Sequence, residues 1–303
     1  MPIIGIYASA FLRNFPNGIY IPEGGSAEYL RFSDDTISSV ASSGAFGLYY
    51  SMAATSNSGV AAYFAGDGNG STTRYKISFT TRLASSLTAL QTAIALAGGV
   101  SNNGTAGYFL GGQTSGTPTY TSAIQKTNYS TDGTSTISAT LSAAKAFESA
   151  TFSNKSTAGY GIGGAISGNY TSTSDKLTYS NETRSAVSGF DYFIWTAAGF
   201  AYSDVCGYIA GGSTGSLTTT TYKFTFSNET KATTTAMPVE TGSAGSTSNI
   251  NTAGYVVGGQ SNATYGLKTT RKIAFSNDSW SLLSAQTAVG LAYYAVAGNS
   301  GAF

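Results

Sequence analysis

The sequence predicts an all-β protein, a six-bladed β-propeller in which the last strand closes the first blade. Three observations predict it. A seven-residue phrase recurs along the chain: "AGYFLGG" at 106–112, "AGYGIGG" at 158–164, "CGYIAGG" at 206–212 and "AGYVVGG" at 253–259. A second phrase carries aromatic anchors at Phe32, Phe79, Tyr129, Tyr179, Phe226 and Phe275, spaced by 47, 50, 50, 47 and 49 residues. The 303 residues include 38 Gly and 21 Tyr and are only 10% charged, which suits short strands joined by tight turns.

A period near fifty residues matches the four short strands of one propeller blade and is too long for a leucine-rich or ankyrin unit. One blade reads in order. Strand 1 is a small-residue stretch such as "ESATFSN" at 148–154, and strand 2 is "AGYGIGG". Strand 3 is "DKLTYS" at 175–180, where Leu177 and Tyr179 alternate with Lys176 and Thr178. Strand 4 is "TRSAVSG" at 183–189. Gly-Gly at the end of strand 2 implies positive φ and a crowded backbone near the axis. The Ser-Asn-Glu/Asp after strand 3 is turn chemistry, a short polar side chain bonding the backbone two residues on.

The two ends agree. "GIYIPEGG" at 18–25 reads as a strand 2 with no strand 1 before it, and 289–301 reads as a strand 1 with no strand 2 after it. Pairing them closes the ring and removes exposed sheet edges. The domain reading is a docking arm over residues 1–17 and a propeller over 18–303. The start lacks the basic stretch and long apolar run of a secretory leader.

Composition excludes several classes. Net charge is +1, so no broad attraction to nucleic acid or acidic lipid is expected, and no long apolar run suggests a membrane helix. With no His and one Cys, neither a metal nor a cofactor site is expected, and Cys206 reads as a small buried residue. No nucleophile–base pair is visible, so no enzyme is expected.

The repeat resembles the kelch family, whose blades carry an aromatic strand ending in Gly-Gly and a later Trp. "GYVVGG" at 254–259 with "IAFSNDSW" at 273–280 is the nearest copy, with Trp280 in the Trp position; the other blades lack it. The resemblance implies a fold and no particular activity. "STDGT" at 130–134 and "SNDSW" at 276–280 resemble sialidase Asp-boxes, but the arginine cluster such a site needs is not expected near the axis.

Charged repeats sit at fixed places. Lys76, Lys126, Lys176, Lys223 and Lys272 precede their anchors by three residues; Asp35, Asp132, Glu182, Glu229 and Asp278 follow theirs by three. They read as a solvated strand edge and turn-forming acids. Because strands alternate in direction, the 2→3 and 4→1 connections share one face. On it the 2→3 connections carry Asp67, Asn69, Gln113, Gln260 and Asn262. The stretch "FDYFIWTAAGF" at 190–200 carries Asp191, Tyr192 and Trp195, whose aromatics suit either a sugar ring, a protein partner or the gap between two blades. "GDGNGS" at 66–71 has the alternating oxygens of a calcium loop without its final acid, so metal is not expected there.

The arm "MPIIGIYASAFLRNFP" opens with a phrase that resembles the start of tail and fibre proteins of bacteriophages, cyanophages among them. The resemblance implies a virion structural protein on a phage tail or capsid surface. Its apolar arm residues Ile3, Ile4, Ile6, Tyr7 and Phe11 imply docking to other virion proteins, within a homo-oligomer or larger assembly. Its exposed face implies binding of a host glycan or surface protein. The alternatives are a propeller enzyme acting on polysaccharide and a decoration protein without a receptor.

Overall fold

The structure, a computed structural model, describes residues 17–21, 27–39, 52–114, 119–146, 150–188, 190, 194–249, 251–291 and 296–298. Six four-stranded antiparallel sheets form the blades. Blade one joins Val296–Gly298, Asn17–Ile21, Glu28–Arg31 and Thr36–Ser39. Blade two joins Ala53–Asn57, Ala61–Ala65, Arg74–Ser78 and Ala84–Ser86. Blade three joins Gly98–Asn102, Ala106–Leu110, Ala123–Asn128 and Thr134–Thr140. Blade four joins Thr151–Asn154, Ala158–Gly161, Ser174–Thr178 and Thr183–Val187. Blade five joins Ala198–Tyr202, Cys206–Ala210, Thr221–Thr225 and Thr230–Thr234. Blade six joins Gly245–Asn249, Ala253–Val257, Leu267–Ala274 and Ser279–Leu291.

The first strands touch one another all the way round, which makes them the inner ring. Closure is as expected: Ile19 pairs with Gly298, Tyr20 with Ala297 and Ile21 with Val296. Two boundaries differ from the expectation. Asn17, expected in the arm, lies in a strand and pairs with Arg31. Residues 289–291, expected in the closing strand, belong instead to the outer strand of blade six, which runs on to Leu291; the described part of the closing strand is Val296–Gly298. The outer strand can run on because its partner, Leu267–Ala274, is eight residues long and offers Leu267 opposite Leu291.

Strand 2 is buried along its length in blades two, three, five and six. Its alternation is one of size. The Gly before the repeated Tyr faces the inner strand of the preceding blade: a Cβ on Gly254 would lie 2.1 Å from the Phe200 ring. The Tyr faces the following blade. The Gly-Gly pair that ends the strand has positive φ, as at Gly211 (67°) and Gly212 (87°). The crowding there comes from the connection leading to the next blade rather than from the axis; a Cβ on Gly211 would meet the Thr241 carbonyl at 2.3 Å. Cys206 is fully buried. Trp280 packs edge-on to Phe200, and its indole N–H donates to the Thr235 carbonyl at 3.0 Å.

The acids do form turns, but the lysines are not merely a solvated strand edge; the two sets pair across the blade joints. Lys76 reaches Asp132 at 2.9 Å, Lys126 reaches Glu182 at 2.6 Å, Lys223 reaches Asp278 at 3.0 Å and Lys272 reaches Asp35 at 2.7 Å. Lys176 pairs with Glu229 in the same way. Each lysine thus meets the acid of the next blade, and blade six meets blade one. The strand 2 Tyr donates to the same acid: Tyr63 to Asp132 at 2.8 Å, Tyr108 to Glu182 at 2.9 Å, Tyr160 to Glu229 at 3.1 Å and Tyr255 to Asp35 at 2.8 Å, with Tyr208 bonded to Asp278. The Tyr ring stacks on the anchor of the next blade, as Tyr63 does on Tyr129 at 4.9 Å. Burial first, and then the adjacent carboxylate, pushes these five tyrosine hydroxyls well above their ordinary value, so they remain donors. The acids also take the left-handed turn position, with φ from 53° to 56°. Beside them the expected turn bonds form, as where Asn181 accepts from the Thr183 backbone N–H at 3.3 Å and its hydroxyl at 2.8 Å.

The joint between blades one and two is different. Ile19 stands in the Tyr place, Tyr29 in the Lys place and Arg82 in the acid place. Arg82 keeps the turn's positive φ (58°) and lies 4.3 Å over the Tyr29 ring. The Tyr29 hydroxyl donates to the Phe79 carbonyl at 2.7 Å.

Candidate ligand-binding face

The 2→3 and 4→1 connections do meet on one face, and backbone bridges tie them together. Ser71 pairs with Ile94, Ala95 with Gln113, Ala146 with Ala165, Trp195 with Ser213 and Gly242 with Gln260. Two short hairpins rise from it: Gln113–Thr114 with Thr119–Tyr120, and Ala165–Ile166 with Asn169–Tyr170.

Buried charge holds this face rigid. Lys145 lies in the connection from blade three to blade four and is fully buried. Its ammonium reaches Asp175 at 2.8 Å and donates to the Thr173 carbonyl at 2.7 Å. Burial pushes the Lys145 pKa down, and Asp175 opposes that. Asp175 also accepts from the backbone N–H and the hydroxyl of Ser142, both at 3.0 Å. Under blade six, Arg271 donates to the Gly258 carbonyl at 3.0 Å; burial pushes its pKa down to about 10, against the pull of Glu240. Gln125 clamps the connection from blade two to blade three by bonding both the N–H and the carbonyl of Thr92 at 3.0 Å. These groups anchor loops to strands and are not presented to solvent.

The residues expected on this face are distributed around it. Asp67 is buried at 6% exposure and turned into its own loop, where it accepts from the Asn69 N–H at 2.9 Å; Asn69 itself is exposed. Gln113 and Gln260 are half-buried, with their backbones bonded to the neighbouring connections. Asn262 is exposed. Asp191 and Tyr192 lie outside the described residues, as do arm residues Ile3, Ile4, Ile6, Tyr7 and Phe11. Of the aromatic segment, Phe190 fills space between strands, 5.4 Å from the Phe224 ring.

Trp195 behaves otherwise. It is half-buried, and its ring lies 4.8 Å from that of Tyr170 at 32°. Tyr170, at the base of the blade four hairpin opposite Ala165, is 38% exposed. The Trp195 indole nitrogen is buried and has no hydrogen-bond partner among the described residues. The two rings therefore make a small aromatic platform, with the indole N–H buried beneath solvent reach. The repeat equivalent of Tyr170 is Tyr120 in the blade three hairpin, which also lies six residues before the repeat lysine and opposite the residue after Gly-Gly; nothing in that pattern marks Tyr170 as Trp195's companion. Among the described residues, no group of three or more Asp, Glu or Cys side chains is placed to hold a metal ion.

No family model matches the sequence, and no curated protein matches it. Among solved structures, the chain is similar to one described as "Structure of YjhT", with a TM-score of 0.58 and 14% identity over 70% of this chain and 73% of that one. YjhT is a propeller protein, and at this identity the likeness carries the architecture alone. By its own sheet order and by that likeness, the chain is a six-bladed β-propeller.

Proposed function

We propose that this propeller is a non-enzymatic structural protein of a phage virion, tail- or fibre-associated, which binds a host-surface glycan or protein on its 2→3 and 4→1 face. The observation that carries the binding part is the Trp195–Tyr170 pair. Paired rings offer a sugar a stacking surface. The virion part is supported by the resemblance of the opening phrase to phage tail and fibre proteins. Five ion-paired joints around a closed ring suit a durable surface protein. The repeat is read as kelch-like on its Gly-Gly strands and Trp280. The arm, residues 1–17, attaches the propeller to other virion proteins or to further copies.

A glycan array run beside a saccharide-cleavage assay tests the binding part. We expect a bound glycan that is left uncleaved, with Trp195→Ala and the more exposed Tyr170→Ala each lowering binding at least tenfold. Tyr170→Ala is expected to leave the melting temperature unchanged. Binding that neither substitution alters would remove the platform from the mechanism, and cleavage would make the protein an enzyme.

A further inference from the structure

The face that carries the Trp195–Tyr170 pair is built from the connections between strands, and its charge is one-sided. The 2→3 connections are residues 22–27, 66–73, 111–122, 162–173, 211–220 and 258–266; the 4→1 connections are 40–52, 87–97, 141–150, 188–197, 235–244 and 292–295. Of the chain's 15 Lys and Arg, only Lys145 lies in them, against five acids, Glu23, Asp67, Glu148, Asp191 and Glu240. Lys145 is fully buried, and its ammonium is held by Asp175 and the Thr173 carbonyl. Two further cations stand at the rim. Arg184, on the outer strand of blade four, is turned to Asp175 at 3.6 Å. Lys268, at the start of the third strand of blade six, lies beyond blade five from the pair. Of the described acids in the connections, Asp67 is turned into its own loop and Glu240 is half-buried, with its charge acting on Arg271. Around the two rings the exposed polar groups are neutral. The backbones of Trp195 and Ser213 bond in both directions, at 3.1 and 2.7 Å, which brings the 213–217 loop of blade five alongside. Thr214 and Ser216 of that loop are exposed, as is Asn169 of the Tyr170 hairpin.

We propose that the ligand of this face is an uncharged glycan, one that carries no carboxylate, sulfate or phosphate; the proposal rests on the reading of the Trp195–Tyr170 pair as a sugar platform. Aromatic rings take the apolar face of a sugar, and hydroxyl and amide side chains take its hydroxyl groups; neither contact needs a charge. An acidic glycan asks for more. Its anionic group loses water on binding, and that loss is offset by a cationic side chain, Arg above all where a planar anion is gripped at two points. The connections hold no such group, since their one cation is buried and already engaged. Their acids repel an anion further. A cationic ligand lacks a partner for the converse reason, because the described acids of the face are turned inward or half-buried.

Matched pairs on a glycan array test this with the full chain. Each oligosaccharide of neutral hexoses or N-acetylhexosamines is printed beside the same backbone carrying sialic acid, a uronic acid, sulfate or phosphate. We expect the uncharged member to bind about tenfold tighter or more, and its affinity to hold as salt is raised. Thr214→Lys, at an exposed loop position, puts a cation beside the platform. It should raise binding of the acidic member about threefold at low salt, lose that gain at high salt and leave the melting temperature unchanged. An acidic member that binds the unaltered chain tighter, with an affinity that falls as salt is raised, overturns the proposal. If Trp195→Ala and Tyr170→Ala still weaken that binding, the sugar platform stands and only the class of its ligand is wrong. If no member of any pair is bound, glycan recognition itself falls, and this proposal with it.

Discussion

Five blade joints are built one way and the sixth another. At the five, a Tyr ring stacks on the next blade, and its hydroxyl and a Lys converge on one acid. At the joint between blades one and two all three positions change together, to Ile19, Tyr29 and Arg82, and the contact becomes a guanidinium over a ring. The simultaneous change teaches that the three residues are one unit. A lone Arg82 among unchanged partners would set like charge against a lysine; with Tyr29 in the Lys place it meets an electron-rich face instead. What stays constant is the backbone, since Arg82 and the five acids all take φ between 53° and 58°.

The largest difference should appear on removing the charged member from each kind of joint. Asp278→Ala leaves the Tyr208 hydroxyl and Lys223 without their shared acceptor, at a cost of about 3 kcal/mol. Arg82→Ala loses a cation–π contact of about 1 kcal/mol. Both place Ala at a positive-φ turn, so that strain cancels when the two are compared by urea unfolding. Equal losses would show that the joints do not depend on the acid.

A graft sharpens the comparison. Ile19→Tyr, Tyr29→Lys and Arg82→Asp together should rebuild the common joint and stabilise the ring by about 1 kcal/mol, while each single change is neutral or destabilising. A thermodynamic cycle over the three should show coupling of about 1–2 kcal/mol; strict additivity would break the idea of a unit.

The smallest effect is in the pH profile. The Tyr208 hydroxyl, raised by burial and then by Asp278, keeps its proton when the unfolded chain releases it near pH 10.0. Its contribution is complete below that pH and is lost as pH rises through the higher folded value. Burial works against the charged form of Asp278, but the bonds from Tyr208 and Lys223 outweigh it and lower the carboxyl below 3.8. That contribution is present above about pH 4 and is lost as pH falls through the depressed value. Tyr208→Phe should therefore flatten the alkaline flank of the melting profile, and Asp278→Asn the acid flank. Unchanged flanks would mean these groups do not titrate with folding.

The blade period, the closure and the turn bonds were legible because each is local or repeats at a fixed interval. The joints were half-legible. A Lys three before one anchor and an acid three after the next are separated by one period plus six, as at 76 and 132. That offset is the signature of a contact between successive blades, and it is invisible when each repeat is aligned only with itself. The platform was legible only as Trp195. Tyr170 shares its place, six residues before the repeat lysine, with Tyr120 alone, so a pattern seen in two blades of six did not single it out.

The closing pair of strands also sets an order of assembly. Blades two to six can each form from contiguous chain, but Asn17–Ile21 waits for Val296–Gly298, made near the other end of the described chain. Sheet formation between such distant segments is slow, because a very long loop must close before any contact rewards it. Until then Asn17–Ile21 keeps an open strand edge. The interval between synthesis of the first blade and arrival of the last strand is therefore when this protein is most exposed to aggregation, and a mature ring no longer carries that hazard.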